Sequence, residues 1–123
     1  MDFDLSDEQL LLREAAKNAL ARTKTVEAAR DAIEGDAGVD LWPTAVEAGW
    51  TGLIIDEERG GAGLGALDSM LVFAELGRVL ASAPLLGHVP ATAILEASAG
   101  DEGIAELLGE LAAGDKRATY VPR

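Results

Sequence analysis

Apolar positions recur at helical rather than strand spacing along most of this chain of 123 residues. The clearest start is Leu5-Ser6-Asp7-Glu8-Gln9-Leu10. Ser6 can cap a helix there, Gln9 can close a capping box, and Leu5 with Leu10 can form the hydrophobic staple. A helix running on to about Lys24 would turn Leu12, Ala16, Ala19 and Leu20 onto one face, kept narrow by alanine so that a neighbour can approach closely. Val26, Ala29 and Ile33 predict a second helix over Thr25 to Ile33, ended by Gly35 and Gly38. A third has Asp40 as its cap, Trp42, Ala45 and Val46 on one face, and Gly49 as its stop. Pro43 fits only its first turn, where amides have no intrahelical partner to lose. The run Trp50 to Ile55 is short for a helix and reads as a buried extended connection.

After the loop Asp56 to Gly65, the stretch Leu67 to Leu80 is apolar nearly all round, which predicts a helix in the centre of a bundle. Its Glu75 and Arg78 are spaced i, i+3 and read as an ion pair at the bundle surface. Two further helices are expected, about His88 to Ala99 and Glu102 to Ala113, closed by Gly100 and Gly114. In the second of these, Ile104, Leu107, Leu108 and Leu111 follow the one-face rule closely. The tail changes character: Ala118-Thr119-Tyr120-Val121 has strand propensity and reads as the first strand of a sheet encoded further on. The fold class is therefore all-α, an orthogonal bundle of about six helices over residues 1–115, with a segment 116–123 that would begin a missing β domain.

Charge and composition narrow the function. The length suits one small domain, and no apolar run reaches membrane-spanning length. A net charge of −12 would repel a phosphate backbone, so nucleic acid is excluded as a partner. Met1 to Asp7 is acidic and lacks the basic and apolar regions of a secretory signal, and with the absence of cysteine this points to the cytoplasm. Lack of cysteine also removes disulfides, thiolate catalysis and cysteine-bound zinc.

Local chemistry is sparse. Gly61, Gly63 and Ala66 match the dinucleotide fingerprint G-x-G-x-x-G/A, but its context fails. A clear strand should precede the turn, whereas Asp56, Glu57 and Glu58 stand there and would repel a pyrophosphate. Nor is it a P-loop, because Ala66 stands where a lysine is needed; the glycines read instead as turn and packing positions. The single histidine, His88, cannot make a two-histidine metal site and reads as structural. Ser6 is a cap, Ser69 has no local base, and Trp42 and Trp50 read as core anchors.

The order of short phrases says more than any one of them. Phe3-Asp4-Leu5-Ser6-Asp7-Glu8-Gln9, then Leu41-Trp42 through Ala48-Gly49-Trp50-Thr51-Gly52-Leu53, then Glu58-Arg59-Gly60-Gly61-Ala62-Gly63-Leu64-Gly65, and Glu75-Leu76-Gly77-Arg78 cover most of the chain. Followed by Leu111-Ala112-Ala113-Gly114-Asp115, this order resembles the N-terminal domain of the acyl-CoA dehydrogenase family.

That resemblance implies a larger protein, with a middle sheet domain and a C-terminal four-helix domain after the helical one, assembled into homo- or hetero-oligomers. It implies FAD between the two later domains and an acyl-CoA substrate, whose α-proton a C-terminal glutamate removes while a β-hydride passes to the flavin. The segment alone would hold neither flavin nor base. By resemblance the stretch after the fourth helix borders the acyl chain, which singles out Leu85, Leu86, Gly87, Pro90, Ala91 and Ile94. Family members carry Thr-Glu-Pro where the middle domain approaches flavin, and the nearest match here is Tyr120-Val121-Pro122. A partner subunit with weakened flavin binding, a flavin oxidase or monooxygenase of the same fold, and a non-catalytic helical interaction module therefore stand as alternatives.

Overall fold

The capping box forms at the start of helix α1 (Asp7–Leu20), where Gln9 N–H donates to Ser6 Oγ at 3.2 Å and Ser6 N–H donates to Gln9 Oε1 at 3.0 Å. The structure, a computed structural model, describes residues 3–123; Met1 and Asp2 of the acidic start lie outside the described residues. The helix stops at Leu20, a turn before Lys24, because the chain folds back: Thr23 N–H bonds Leu20 O and Thr25 N–H bonds Thr23 O. Thr25 is buried and donates Oγ1 to the Val79 carbonyl at 2.6 Å, a tertiary bond that sets where α2 (Thr25–Ile33) begins. That helix ends in a Schellman motif, with Asp36 N–H on Asp31 O, Gly35 N–H on Ala32 O and Gly35 left-handed at φ 99°. Its expected apolar face is only partly used, for Val26 and Ala29 are half-buried and Ile33 is exposed.

Helix α3 (Trp42–Glu47) has Pro43 in its first turn, and Asp40 Oδ1 accepts from Trp42 N–H at 2.9 Å. Gly49, left-handed at φ 78°, turns the chain directly into a 3-10 turn over Trp50–Gly52, with Leu53 helical after it. This corrects the expected extended connection. The segment is buried as expected, yet it is coiled, because its carbonyls must reach the glycine loop that follows: Ala62 N–H bonds Gly52 O, Leu64 N–H bonds Leu53 O and Gly63 N–H bonds Ile55 O.

Helix α4 (Ala66–Arg78) is a second correction. It packs chiefly on α1, burying Ser69, Val72, Glu75 and Leu76, while Leu67 and Met70 stay exposed. An apolar circumference suited the bundle centre, but only one face has a neighbour here. The expected surface ion pair is also one-sided, since Arg78 is exposed and Glu75, 3.5 Å away, is buried.

Helix α5 (Leu85–Ala97) starts a turn before His88 and ends two residues before Ala99, and α6 (Glu102–Ala113) has the bounds its pattern predicts. Gly114, left-handed at φ 79°, closes α6 through Gly114 N–H on Leu111 O and Asp115 N–H on Glu110 O. The six helices enclose two apolar clusters. The larger joins Ala16, Leu20, Trp42, Trp50, Val72 and Leu85 with their neighbours, and the smaller gathers Leu108 and Leu111 around Ile55. The all-α class holds, and among the described residues there is no strand; residues 116–123 run without regular structure, having no neighbouring strand to pair with.

Gly61 marks the tightest backbone approach. A Cβ there would lie within 1.9 Å of the Ile55 carbonyl oxygen, whereas one at Gly60, left-handed at φ 86°, would meet nothing within 4 Å. Gly61→Ala is expected to lower unfolding stability by about 3 kcal/mol or more, as forced overpacking against backbone does, and Gly60→Ala by about 1 kcal/mol. Urea midpoints of the two variants measured side by side check the ranking.

Candidate functional site

Helix α5 is apolar on two sides. Its inner face places Leu85, His88, Val89 and Thr92 in the interior, with Ala91 buried beside them. Its outer face carries Leu86, Pro90 and Ile94, spaced four apart and therefore in one stripe; Leu86 is 79% and Ile94 50% exposed. Pro90 has no N–H to return to the Leu86 carbonyl one turn back, so the helix ladder lacks a rung on this outer side. Gly87 lies between the two faces, where a Cβ would come within 2.5 Å of Thr119 Oγ1. The six residues singled out from the sequence thus divide: Leu86, Pro90 and Ile94 come together on the surface, Leu85 and Ala91 support them from the core, and Gly87 admits the C-terminal segment. None of the six lines the cleft of about 200 Å³ between α1 and α3, which is formed by Leu12, Ala15, Ala19, Ala48 and Trp50 with the Arg22–Glu47 pair.

Directly beneath the stripe, His88 is fully buried with both ring nitrogens engaged. Nδ1 accepts from Ala118 N–H at 3.2 Å, and Nε2 lies 2.9 Å from the Thr51 carbonyl. An acceptor nitrogen carries no proton, so the ring is neutral with its hydrogen on Nε2, donated to Thr51. Burial pushes the imidazole below its ordinary range, with the backbone of Thr51 and of Leu111 partly offsetting it. Trp42 meets the ring edge-on at 5.0 Å and donates its indole N–H to the Gly114 carbonyl at 3.1 Å. Arg117 lies 4.6 Å over the same indole and reaches Asp40, whose carboxyl is held below its ordinary range by the Trp42 amide and then by Arg117. Thr51 Oγ1 adds a bond to the Ala112 carbonyl at 2.7 Å. Five separate stretches of chain meet at one histidine.

The sequence reading foresaw a structural His88 but missed its partners. A usable signal was present, because His88 falls at inner-face spacing with Leu85, Val89 and Thr92; its partners come from positions 42, 51 and 118, which no local pattern connects. Also unforeseen was the ion pair between Arg59 Nη1 and Glu96 Oε1 at 2.5 Å, mostly shielded from solvent, which ties the glycine-loop entrance to α5.

The glycine loop itself has no amide to offer a phosphate. Gly60 and Gly61 N–H bond the Glu57 and Asp56 carbonyls, Ala62, Gly63 and Leu64 bond Gly52, Ile55 and Leu53, and Gly65 N–H donates to Asp68 Oδ2 at 2.9 Å. Each of these loop amides thus has an acceptor within the chain.

The family profile described as "Acyl-CoA dehydrogenase, N-terminal domain" matches residues 6–115. The chain belongs to the acyl-CoA dehydrogenase family. It is 39% identical over 120 residues to a protein named acyl-CoA dehydrogenase IpdE2 from Mycolicibacterium smegmatis, covering 95% of this chain and 37% of that one. It is 40% identical over 111 residues to the protein of the same name from Mycobacterium tuberculosis, covering 88% of this chain and 34% of that one. The chain therefore spans about a third of the length of these relatives. No solved structure matches. Among the described residues no helix is long and apolar enough to cross a membrane, and no cluster of three His, Cys, Asp or Glu residues could hold a metal ion.

A neutral buried His88 carries a pH signature. The unfolded chain takes up a proton near pH 6.5 while the folded chain resists it, so stability is full above that value and falls as pH drops below it, until the depressed folded value is reached. The slope is at most about 1.4 kcal/mol per pH unit, the limit for one proton. Urea midpoints between pH 7.5 and 5.5 are expected to fall for the native chain and to stay nearly flat for His88→Gln.

Proposed function

We propose that this chain is the N-terminal helical domain of an FAD-dependent acyl-CoA dehydrogenase, an enzyme that introduces a double bond between the α and β carbons of an acyl-CoA thioester. Within it, the domain supplies one wall of the acyl pocket and a packing face for the rest of the protein. The observation that carries this reading is the surface stripe Leu86, Pro90 and Ile94, apolar and uncovered, on a chain that spans about a third of its relatives' length. A helix that already buries Leu85, Val89 and Ala91 gains nothing in the isolated domain from a second apolar face, whereas a thioester's hydrocarbon tail or an adjoining domain removes that face from water. Leu85 and Ala91 hold the stripe rigid from beneath.

The residues present do not fit FAD. The glycine loop, the one stretch with a dinucleotide-like pattern, directs its amides inward. Flavin, and with it the reaction, is assigned to the remainder of the protein, and no catalytic step is given to this domain. A cytoplasmic location and an oligomeric assembly belong to the same reading, as the family resemblance implies. A second reading, a partner subunit that binds flavin only in a mixed oligomer, is favoured by the resemblance: Tyr120-Val121-Pro122 is the nearest match in this chain to the Thr-Glu-Pro of family members.

Leu86→Trp in the complete protein is expected to shift the preference toward shorter or slimmer acyl groups, with kcat/KM for the bulkiest substrate falling about tenfold or more, the scale of one lost pocket contact. An unchanged substrate profile removes Leu86 from the pocket. Flavin absorbance of the purified complete protein, alone and mixed with a candidate partner subunit, separates the two readings.

A further inference from the structure

The C-terminal segment crosses the base of α5; Lys116 pairs with Glu110, Ala118 packs on the smaller apolar cluster, and three further contacts fix its course along α5 and α3. Ala118 N–H is bonded to His88 Nδ1, Thr119 packs where Gly87 has no Cβ, and Arg117 lies over Trp42 while paired with Asp40. The first contact differs in kind from the others, because it exists only while Nδ1 is an unprotonated acceptor. We propose that His88 is a proton-released fastener: its neutral ring pins residues 116–119 to α5, and a second proton frees this segment while the helices stay folded.

The chemistry balances without any further component. A proton from solvent adds to Nδ1, which then becomes a donor facing the Ala118 amide, another donor, and that contact turns from attractive to repulsive. The charged ring keeps the Thr51 carbonyl as the acceptor of its Nε2–H, so the proton disrupts the contact with the tail and not the one that joins α5 to the 3-10 turn. Burial disfavours the charged ring, and the backbone of Thr51 and of Leu111 favours it. On the surrounding elements Glu47 pairs with Arg22, Glu96 with Arg59, Glu110 with Lys116 and Asp40 with Arg117, so these acids already have cations. The segment is light enough to leave alone, since Lys116, Arg117 and Thr119 to Arg123 are exposed and Ala118 is only half-buried. Because α5 carries both the outer stripe and the fastener, its state sets the direction in which the chain departs beside that stripe.

Amide hydrogen exchange on the intact chain tests this, read as protection factors so that the intrinsic pH dependence of exchange is divided out. Ala118 is expected to lose protection progressively as pH falls below neutral, by at most about tenfold per pH unit, the one-proton limit, while amides of α1 and α4 keep theirs. Long-range nitrogen-15 correlation spectra at pH 7.5 are expected to show the His88 hydrogen on Nε2. Gly87→Ala, which crowds Thr119 without altering the imidazole, is expected to lower Ala118 protection at every pH and to leave the helices intact. The proposal is overturned by an Nδ1–H tautomer at pH 7.5, by Ala118 protection that does not change with pH, or by loss of α1 and α4 protection together with that of Ala118. The last result would make His88 an ordinary core group.

Discussion

A buried imidazole must have both of its nitrogens satisfied, and the rest of this domain is arranged around that requirement. The donor at Nε2 needs the Thr51 carbonyl, which needs the chain to coil into a 3-10 turn immediately after Gly49. The acceptor at Nδ1 needs an N–H from outside α5, and the tail provides it through Ala118. Between them stands Trp42, edge-on to the ring and fastened to Gly114, so that α3, α5 and the end of α6 are held at fixed separations. A leucine at position 88 would fill similar space with no polar debt, but it would connect nothing. The histidine contributes specificity of arrangement at a cost in burial, a trade that buried polar groups make only when every partner is present.

The glycine loop obeys the same accounting for the backbone. Gly52, Leu53 and Ile55 are buried in a segment that is neither regular helix nor strand, so their carbonyls need partners that regular structure does not supply. The loop supplies them, and Gly61 must be glycine because its Cα sits against the Ile55 carbonyl. What resembles a phosphate cradle in one dimension is a clamp that closes on its own chain. The same saturation gives the Glu58-Arg59-Gly60-Gly61 phrase a structural reason, with Arg59 reaching Glu96 to anchor the loop on α5.

Helices α4 and α5 each carry a second apolar side that nothing in this chain covers. Helix α4 leaves Leu67 and Met70 in water and α5 leaves Leu86 and Ile94, although both helices have complete inner faces. Surfaces of this kind are unusual on a self-sufficient monomer and normal on a piece of a larger assembly. The two relatives that match are each more than twice as long as this chain.

Local physics made much of this legible from residues alone. The Ser6–Gln9 capping box, the Asp40 turn, Pro43 in a first turn and the left-handed glycines at 35, 49 and 114 act within five residues, so the bounds of α2 and α6 and the all-α class are legible locally. What local pattern could not reach was decided by contacts distant in sequence. Thr25 bonding Val79 sets where α2 begins, the glycine loop coils a run that reads as extended, and the lack of a neighbour on one side moves α4 from the expected centre to a flank. Hydrophobicity records how many faces of a helix are apolar, but not which of them this chain itself covers. For that reason the six α5 residues appeared in sequence as one apolar group, and only tertiary packing sorted them into a supporting core, a space for the tail and an exposed stripe.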